Sequence, residues 1–280
     1  MTVQLNTYSD ISTIVNPILE QSLAVARDNN VMAGLVSPFS ADGSEPRKFY
    51  EYSASTYKTL GESDDMTSSA FTPSALGTIT PQEYGNQFFL TDQRIATDWN
   101  AVRTDAASEL GAAMGQHVDV ALAGLFNTFT GGSVSHTGSL VTWAYFFEMQ
   151  SKLRANLAPM PYTFVCSPAQ WFSLGSAASV GATVTNSPNI QNEFGRNFYV
   201  GSVAGVEIYV SANVETASTD AYAGMFSKQA IALDIRRAFR IEPERDASRR
   251  GIELNATMLY GIGLWRPTFG IYGLFKDAYS

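Results

Sequence analysis

Few side chains in this sequence could do chemistry, and their spacing limits what they can do. The two histidines are His117 and His136. Nucleophilic catalysis needs a histidine set against a matched nucleophile and an acid. His117 falls among apolar residues at helical spacing and reads as a packed, hydrogen-bonded histidine. His136 follows the Gly131-Gly132-Ser133 loop, and no Gly-x-Ser-x-Gly elbow accompanies it. Cys166 is the one cysteine, so no intrachain disulfide is expected. It ends an apolar run just before a helix start, where a thiol can become acidic. With no histidine partner in the pattern, it reads as a small core residue. No phosphate loop of the Gly-x-x-x-x-Gly-Lys-Ser type occurs. Gly111, Gly115 and Gly124 lie in a helical pattern and read as points of close packing. Glu62, Asp64 and Asp65 lack the spacing of a calcium loop and read as a solvated tip. No catalytic, metal or cofactor site is expected.

The remaining polar feature is a cluster of mixed sign near the C-terminal end. Arg236, Arg237, Arg240, Arg245, Arg249 and Arg250 alternate with Glu242, Glu244, Asp246 and Glu253. Binding DNA phosphates tightly takes clustered cations without interspersed carboxylates. Alternating signs suit ion pairs between protein subunits, where they set register. Arg236, Arg245, Arg249, Glu242 and Glu244 are therefore expected at subunit contacts.

These groups need elements to hold them. Ser9–Asn30 reads as a helix-prone arm, with Ile14, Ile18 and Val25 at helical spacing. Lys48–Thr59 reads as extended, rich in Phe49, Tyr50, Tyr52 and Tyr57. A polar, flexible stretch, Gly61–Ser69, follows, and Leu76–Leu90 is again extended. Together these form a long two-stranded arm with little apolar content of its own. An isolated hairpin is marginal in water, so the arm is expected to lie on something, either its own body or a neighbour. Tyr57 and Lys58, beside the tip, are expected at subunit contacts.

Gln93–Phe129 is the clearest element. Ile95, Trp99, Val102, Ala106, Leu110, Ala113, His117, Ala121 and Leu125 recur at steps of three and four, the signature of an amphipathic helix. Its length would be about 50 Å at 1.5 Å per residue. Val141–Asn156 reads as a second helix, closed by Pro159 and Pro161, and Tyr162–Cys166 as a short buried strand. Ser167-Pro168-Ala169-Gln170 opens a third helix, with a serine cap, proline at the first position and a glutamine able to reach back. Ser173–Gly195, rich in small and polar residues, reads as a mobile loop or a small subdomain. Phe198–Ser211, Ala230–Ile235, Ala238–Glu244, Ile252–Leu264 and Thr268–Phe275 read as strands.

Composition agrees with a surface that is largely covered. Charged residues make up 16% of the 280, against roughly 25% for ordinary soluble domains. The net charge of −8 excludes a basic nucleic-acid reader, although an acidic wall can enclose DNA without gripping it. No run approaches the roughly 18 apolar residues of a membrane helix. Met1–Asp10 carries no secretory pattern, and with Met1 in place no removed leader is expected.

The order of parts resembles a known family. Arm, extended loop, spine helix, mixed lobe and strand-rich end are similar to the tailed-bacteriophage major capsid proteins with the Hong Kong 97 fold. Local wording carries the resemblance: Val141-Thr142-Trp143; Tyr162-Thr163-Phe164-Val165-Cys166-Ser167-Pro168-Ala169-Gln170; Gly205-Val206-Glu207-Ile208-Tyr209-Val210-Ser211; Met225–Leu233; Ile241–Asp246; and Leu259–Pro267. The resemblance implies an α+β fold with four parts. They are an N-terminal arm (1–47), an extended β-hairpin loop (48–90), a peripheral domain (91–133 and 236–266) and an axial domain (134–235 and 267–280). It implies a structural protein and not an enzyme. Copies assemble as hexamers and pentamers into an icosahedral head that encloses DNA, built in the host cytoplasm and ending in the virion. The implied partners are a separate scaffolding protein, a portal and decoration proteins, with no membrane and no cofactor. In some members a loop lysine is crosslinked to a neighbour; Lys58 would be the donor by position, but no acceptor can be matched. An encapsulin-type nanocompartment shell, which shares the fold, is the nearest alternative. A hydrolase resting on Cys166 and the histidines is the second.

Overall fold

The computed structural model describes residues 30–57, 59–66, 68, 70–97, 101–180 and 199–278. The expected arm Ser9–Asn30 lies outside these, apart from Asn30. Trp99, Lys58 and the end of the expected loop Ser173–Gly195 also lie outside them. Among the described residues the chain forms two compact units. One holds Glu83–His117 and Ala238–Met258, and the other holds the remainder.

The larger unit is organised by β6 (Tyr162–Cys166), where five consecutive residues are buried. Side chains alternate between the faces of a strand, so a strand buried at every position must be covered on both sides. β6 lies inside a seven-stranded mixed sheet. The other strands are β5 (Ser133–Ser135), β7 (Tyr199–Val203), β8 (Val206–Val210), β9 (Thr216–Ala217), β10 (Asp220–Ser227) and β13 (Gly270–Lys276). The order is β5-β13-β10-β6-β8-β7, with β9 on β10. On one face α4 (Trp143–Ala155) sets Phe146 edge-on to Phe164, ring centroids 5.3 Å apart. Phe164 pairs with Met225, so the adjacent Gly224 and Phe226 turn to the other face. There they meet Phe126 and Phe129 around a 3-10 turn (Phe126–Thr128). A Cβ at Gly224 would stand 2.7 Å from the Phe126 ring; only glycine lets the aromatic that close.

The third helix begins as expected. In α5 (Pro168–Val180) the amide of Gln170 donates to Ser167 Oγ, and Gln170 Oε1 accepts from the amide of Ser167, each at 3.2 Å. This reciprocal pair satisfies two amides that a helix start leaves free. The helix continues past Ser173, where a loop was expected. The hydroxyls of Ser173 and Ser176 donate to carbonyls one turn back, at Ala169 and Ser173, so they do not compete with helical backbone bonding.

Further expectations are corrected. The expected strand Phe198–Ser211 is, over its described residues, a hairpin of β7 and β8 turning on Ala204 and Gly205, both at positive φ (53° and 81°). That combination makes a tight turn matched to strand twist. Met225–Leu233 is not one late strand, because β10 ends at Ser227 and β11 (Ile231–Asp246) begins beyond a turn. Conversely, Ala230–Ile235 and Ala238–Glu244 are one strand, β11. The spine helix ends earlier than its pattern suggested: α2 (Asp92–Thr97) and α3 (Ala101–Ala123) are followed by turns from Gly124. In its second half the buried stripe runs through Met114, Val118 and Leu122, not Ala113, His117 and Ala121. The larger apolar side chains take the buried side, because they gain more by leaving water.

In the smaller unit α3 lies over β4 (Gln82–Thr91), β11 and β12 (Gly251–Leu264), in the strand order β11-β12-β4. Leu110, Leu90, Leu254 and Ala256 are buried together, with Val102, Phe239, Ile241 and Ile252 against them. Val102 and Leu110 thus face the closing strands, as their spacing predicts.

Candidate assembly surfaces

The arm is a hairpin of β2 (Arg47–Tyr52) and β3 (Pro73–Ile79), antiparallel from Arg47↔Ile79 to Tyr52↔Pro73, with a bulge after Phe49. The second extended run of the sequence is therefore two strands: β3 completes this hairpin, and β4 belongs to another sheet. The root of the hairpin is packed. Phe49 and Ile79 are buried with Ala232, and Phe39, Leu76 and Trp265 close around them. A Cβ at Gly77 would meet the Leu264 carbonyl oxygen at 2.7 Å, which is how closely the arm's root is set down.

Beyond Tyr52 the packing ends. Tyr50 and Tyr52 are exposed, and Phe71 is 70% exposed although its ring stacks on Tyr52 at 4.4 Å. Ser53 ties the strands once more, its amide to the Thr72 carbonyl at 3.2 Å and its hydroxyl to the Ala70 carbonyl at 3.1 Å. Tyr57 is fully exposed, and Leu60 and Met66 are exposed too. At the tip Asp64 accepts from the Gly61 amide at 2.9 Å, while its own amide donates to the Gly61 carbonyl. The carboxylate shapes a turn. An arm whose described residues include six large exposed apolar or aromatic side chains, with no core beyond its root, carries a surface that a monomer gains nothing by displaying.

The mixed cluster occupies β11, β12 and the turn between them. Phe239 and Ile241 face α3, so the alternate residues Arg240 and Glu242 face outward and pair at 3.1 Å. Arg245 grips Asp92 through both carboxylate oxygens, and the Asp92 hydrogen bond pushes the guanidinium pKa up. Asp246 Oδ1 accepts from the Ser248 hydroxyl, the Ser248 amide and the Arg249 amide. These bonds, the Ser248 hydroxyl first, hold its carboxyl below the usual range. Arg249 pairs with Glu253 at 3.1 Å and lies 4.2 Å over the Phe89 ring. Glu244 is exposed.

Arg236 sits differently. Its side chain is 5% exposed and pairs with the fully buried Asp234 of its own chain. Asp234 is a residue that sequence reading missed, as is Asp119, whose buried carboxylate accepts from the Met32 amide at 2.7 Å and Asn213 Nδ2 at 2.9 Å. Both carry one signal: a lone carboxylate inside an apolar run, Ile231–Ile235 and Val118–Ala123, must find partners when it is buried.

Cys166 is wholly buried, and burial pushes its thiol pKa up, away from a reactive thiolate. His117 contacts the Tyr84 ring at 4.8 Å on the exposed side of α3, and His136 stacks on Tyr145 at 4.0 Å. Among the described residues no group of three or more His, Cys, Asp or Glu is placed to hold a metal ion. No described helix is long and apolar enough to cross a membrane.

Comparison with known proteins agrees with this architecture. Residues 75–273 match the family model of the phage capsid protein. The capsid of cyanophage P-SCSP1u superposes with a TM-score of 0.73 at 17% identity, over 99% of this chain and 94% of that one. The capsid of Ralstonia phage GP4 gives 0.67 at 13% identity, covering both chains in full. The acid-stable capsid of the Helicobacter pylori bacteriophage KHP30 gives 0.67 at 13% identity, over 99% of this chain and 100% of that one. No curated protein sequence matches. The chain belongs to the phage capsid protein family and has the Hong Kong 97-type α+β capsid fold. It is a structural major capsid protein, a component of the virion shell.

Proposed function

We propose that copies of this chain join as hexamers and pentamers into an icosahedral head that encloses phage DNA, and that the hairpin arm lies across a neighbouring copy. The observation that carries this reading is the arm itself: a packed root, then an exposed aromatic strip with no partner surface among the described residues. In this reading residues 48–90 act as the extended loop. Residues 91–133 with 236–266 act as the peripheral domain, and 134–235 with 267–280 as the axial domain. Tyr57, Lys58, Arg245, Arg249, Glu242 and Glu244 lie where copies meet. Net negative charge and interspersed carboxylates leave the DNA free to slide. The head assembles in the host cytoplasm with a separate scaffolding protein, takes a portal at one vertex and can carry decoration proteins; the chain itself catalyses nothing.

The test is electron microscopy of the purified protein, alone and with a scaffolding protein. Closed icosahedral shells are expected, and from infected cells, shells holding DNA and one portal. Only soluble aggregates under both conditions, or DNA-free shells loaded with an enzyme cargo, would refute it.

A further inference from the structure

One buried carboxylate is the centre of the polar contacts at the root of the arm. Asp234 is completely buried in the first part of β11. A charge there needs close, well-aligned partners; one partner, Arg47, opens the arm, and the other, Arg236 on the same strand, itself reaches the connection that leads into the arm. Arg47, the first residue of β2, donates from Nε to Oδ2 at 2.9 Å and from Nη2 to Oδ1 at 3.2 Å. Its Nη2 also donates to the Ser40 carbonyl at 3.1 Å, at the end of β1 (Ser37–Ser40). Arg236, two residues along β11 and so on the same face as Asp234, donates to Oδ2 from Nε at 3.0 Å and approaches it from Nη2 at 2.8 Å. Its remaining donors reach the carbonyls of Asp42, Gly43 and Glu45 at 3.0–3.4 Å. The turn between β1 and β2 is thereby gripped at its start, its middle and its end.

We propose that Asp234, with Arg47 and Arg236, is the pivot that fixes the direction in which the hairpin arm leaves the subunit. It acts as a positioning residue for assembly and, being fully buried, touches no neighbouring copy. A forked guanidinium on a carboxylate fixes orientation as well as distance. Buried ion pairs add little stability over apolar packing, and their best-attested use is to specify one arrangement. The arm needs such a device because its distal half has no packing to set its angle. The adjacent Phe39–Phe49–Trp265 cluster, with ring centroids 5.3–5.8 Å apart, holds the hairpin down but does not align it as hydrogen bonds do. Two cations share one anion, so removing the Asp234 charge sets two guanidiniums against each other at the hinge. The assembly role rests on the reading that the arm lies on a neighbour, whereas the pivot role does not.

The experiment uses the full chain purified as unassembled subunits. Spin labels are placed at Ser55→Cys on the arm and Thr216→Cys on the sheet; the buried native thiol stays unlabelled. Asp234→Asn keeps the volume and loses the charge. Arg47→Lys keeps the charge and loses the fork. Both are expected to retain the far-UV dichroism of the parent, broaden the label-to-label distance distribution and lose closed particles, Asp234→Asn the more. If Asp234→Asn does not fold, Arg47→Lys decides. Narrow, unchanged distances in the folded variants would overturn the pivot. Broadened distances with a normal yield of shells would overturn its role in assembly and, with it, the docking of the arm on a neighbour.

Discussion

Replacing Leu110 by alanine tests the register of the spine helix against the closing strands. Leu110 is 1% exposed and touches a cluster that includes Leu90, Leu254, Ala256 and Phe239. The truncation removes three buried carbons, about 2.4 kcal/mol at about 0.8 kcal/mol each. A cavity then adds to this, because β4, β11 and β12 are held by backbone pairing and cannot collapse onto α3. The expected loss is about 2–5 kcal/mol. Since the chain has two compact units, a single unfolding midpoint would mix them. Amide hydrogen exchange over Glu83–His117 and Ala238–Met258 reads the smaller unit by itself. Ala112→Gly, on the exposed side of the same helix, is the control, at about 0.5–1 kcal/mol. A Leu110→Ala loss no greater than the control would show that this face is not sealed and that the helix register is wrong.

Four further outcomes are expected. Deleting Gly61–Ser69 should leave the subunit's melting curve unchanged and abolish closed shells in light scattering, since the tip adds nothing to the core. Reversing Arg245 to Glu should leave the fold intact and lower particle yield, and rising salt should lower wild-type yield in the same direction by screening; yields indifferent to both would make this face plain solvated surface. Cys166 should resist alkylation in the native subunit. Because burial raises its folded-state pKa, the stability it contributes is fully present below the unfolded thiol's pKa and falls as pH rises above about 8.5, read from melting temperature against pH. Leu157, 85% exposed at φ 58° after α4, bears about 1–2 kcal/mol of left-handed strain. Glycine there relieves it against about 0.4–1 kcal/mol of added chain entropy, so Leu157→Gly should be neutral or raise the melting temperature.

The sequence alone determined what local rules govern. The capping residues of Ser167–Gln170 needed only their own spacing, and the largely apolar Tyr162–Cys166 read as a buried strand. The exposed, coreless arm followed from its composition, and the order of parts carried the capsid resemblance. Tertiary structure decided whatever depends on which surfaces compete. Burial along the second half of α3 went to Met114, Val118 and Leu122 because larger side chains displace alanines from the core. The run Leu76–Leu90 was divided between two sheets by pairing partners distant in the chain. Positive φ at Ala204 split one apparent strand into a hairpin. Arg236 looked like its surface neighbours until Asp234, buried two residues before it, drew it inward. A charge's role depends on the dielectric around it, and that is fixed only when the chain has closed.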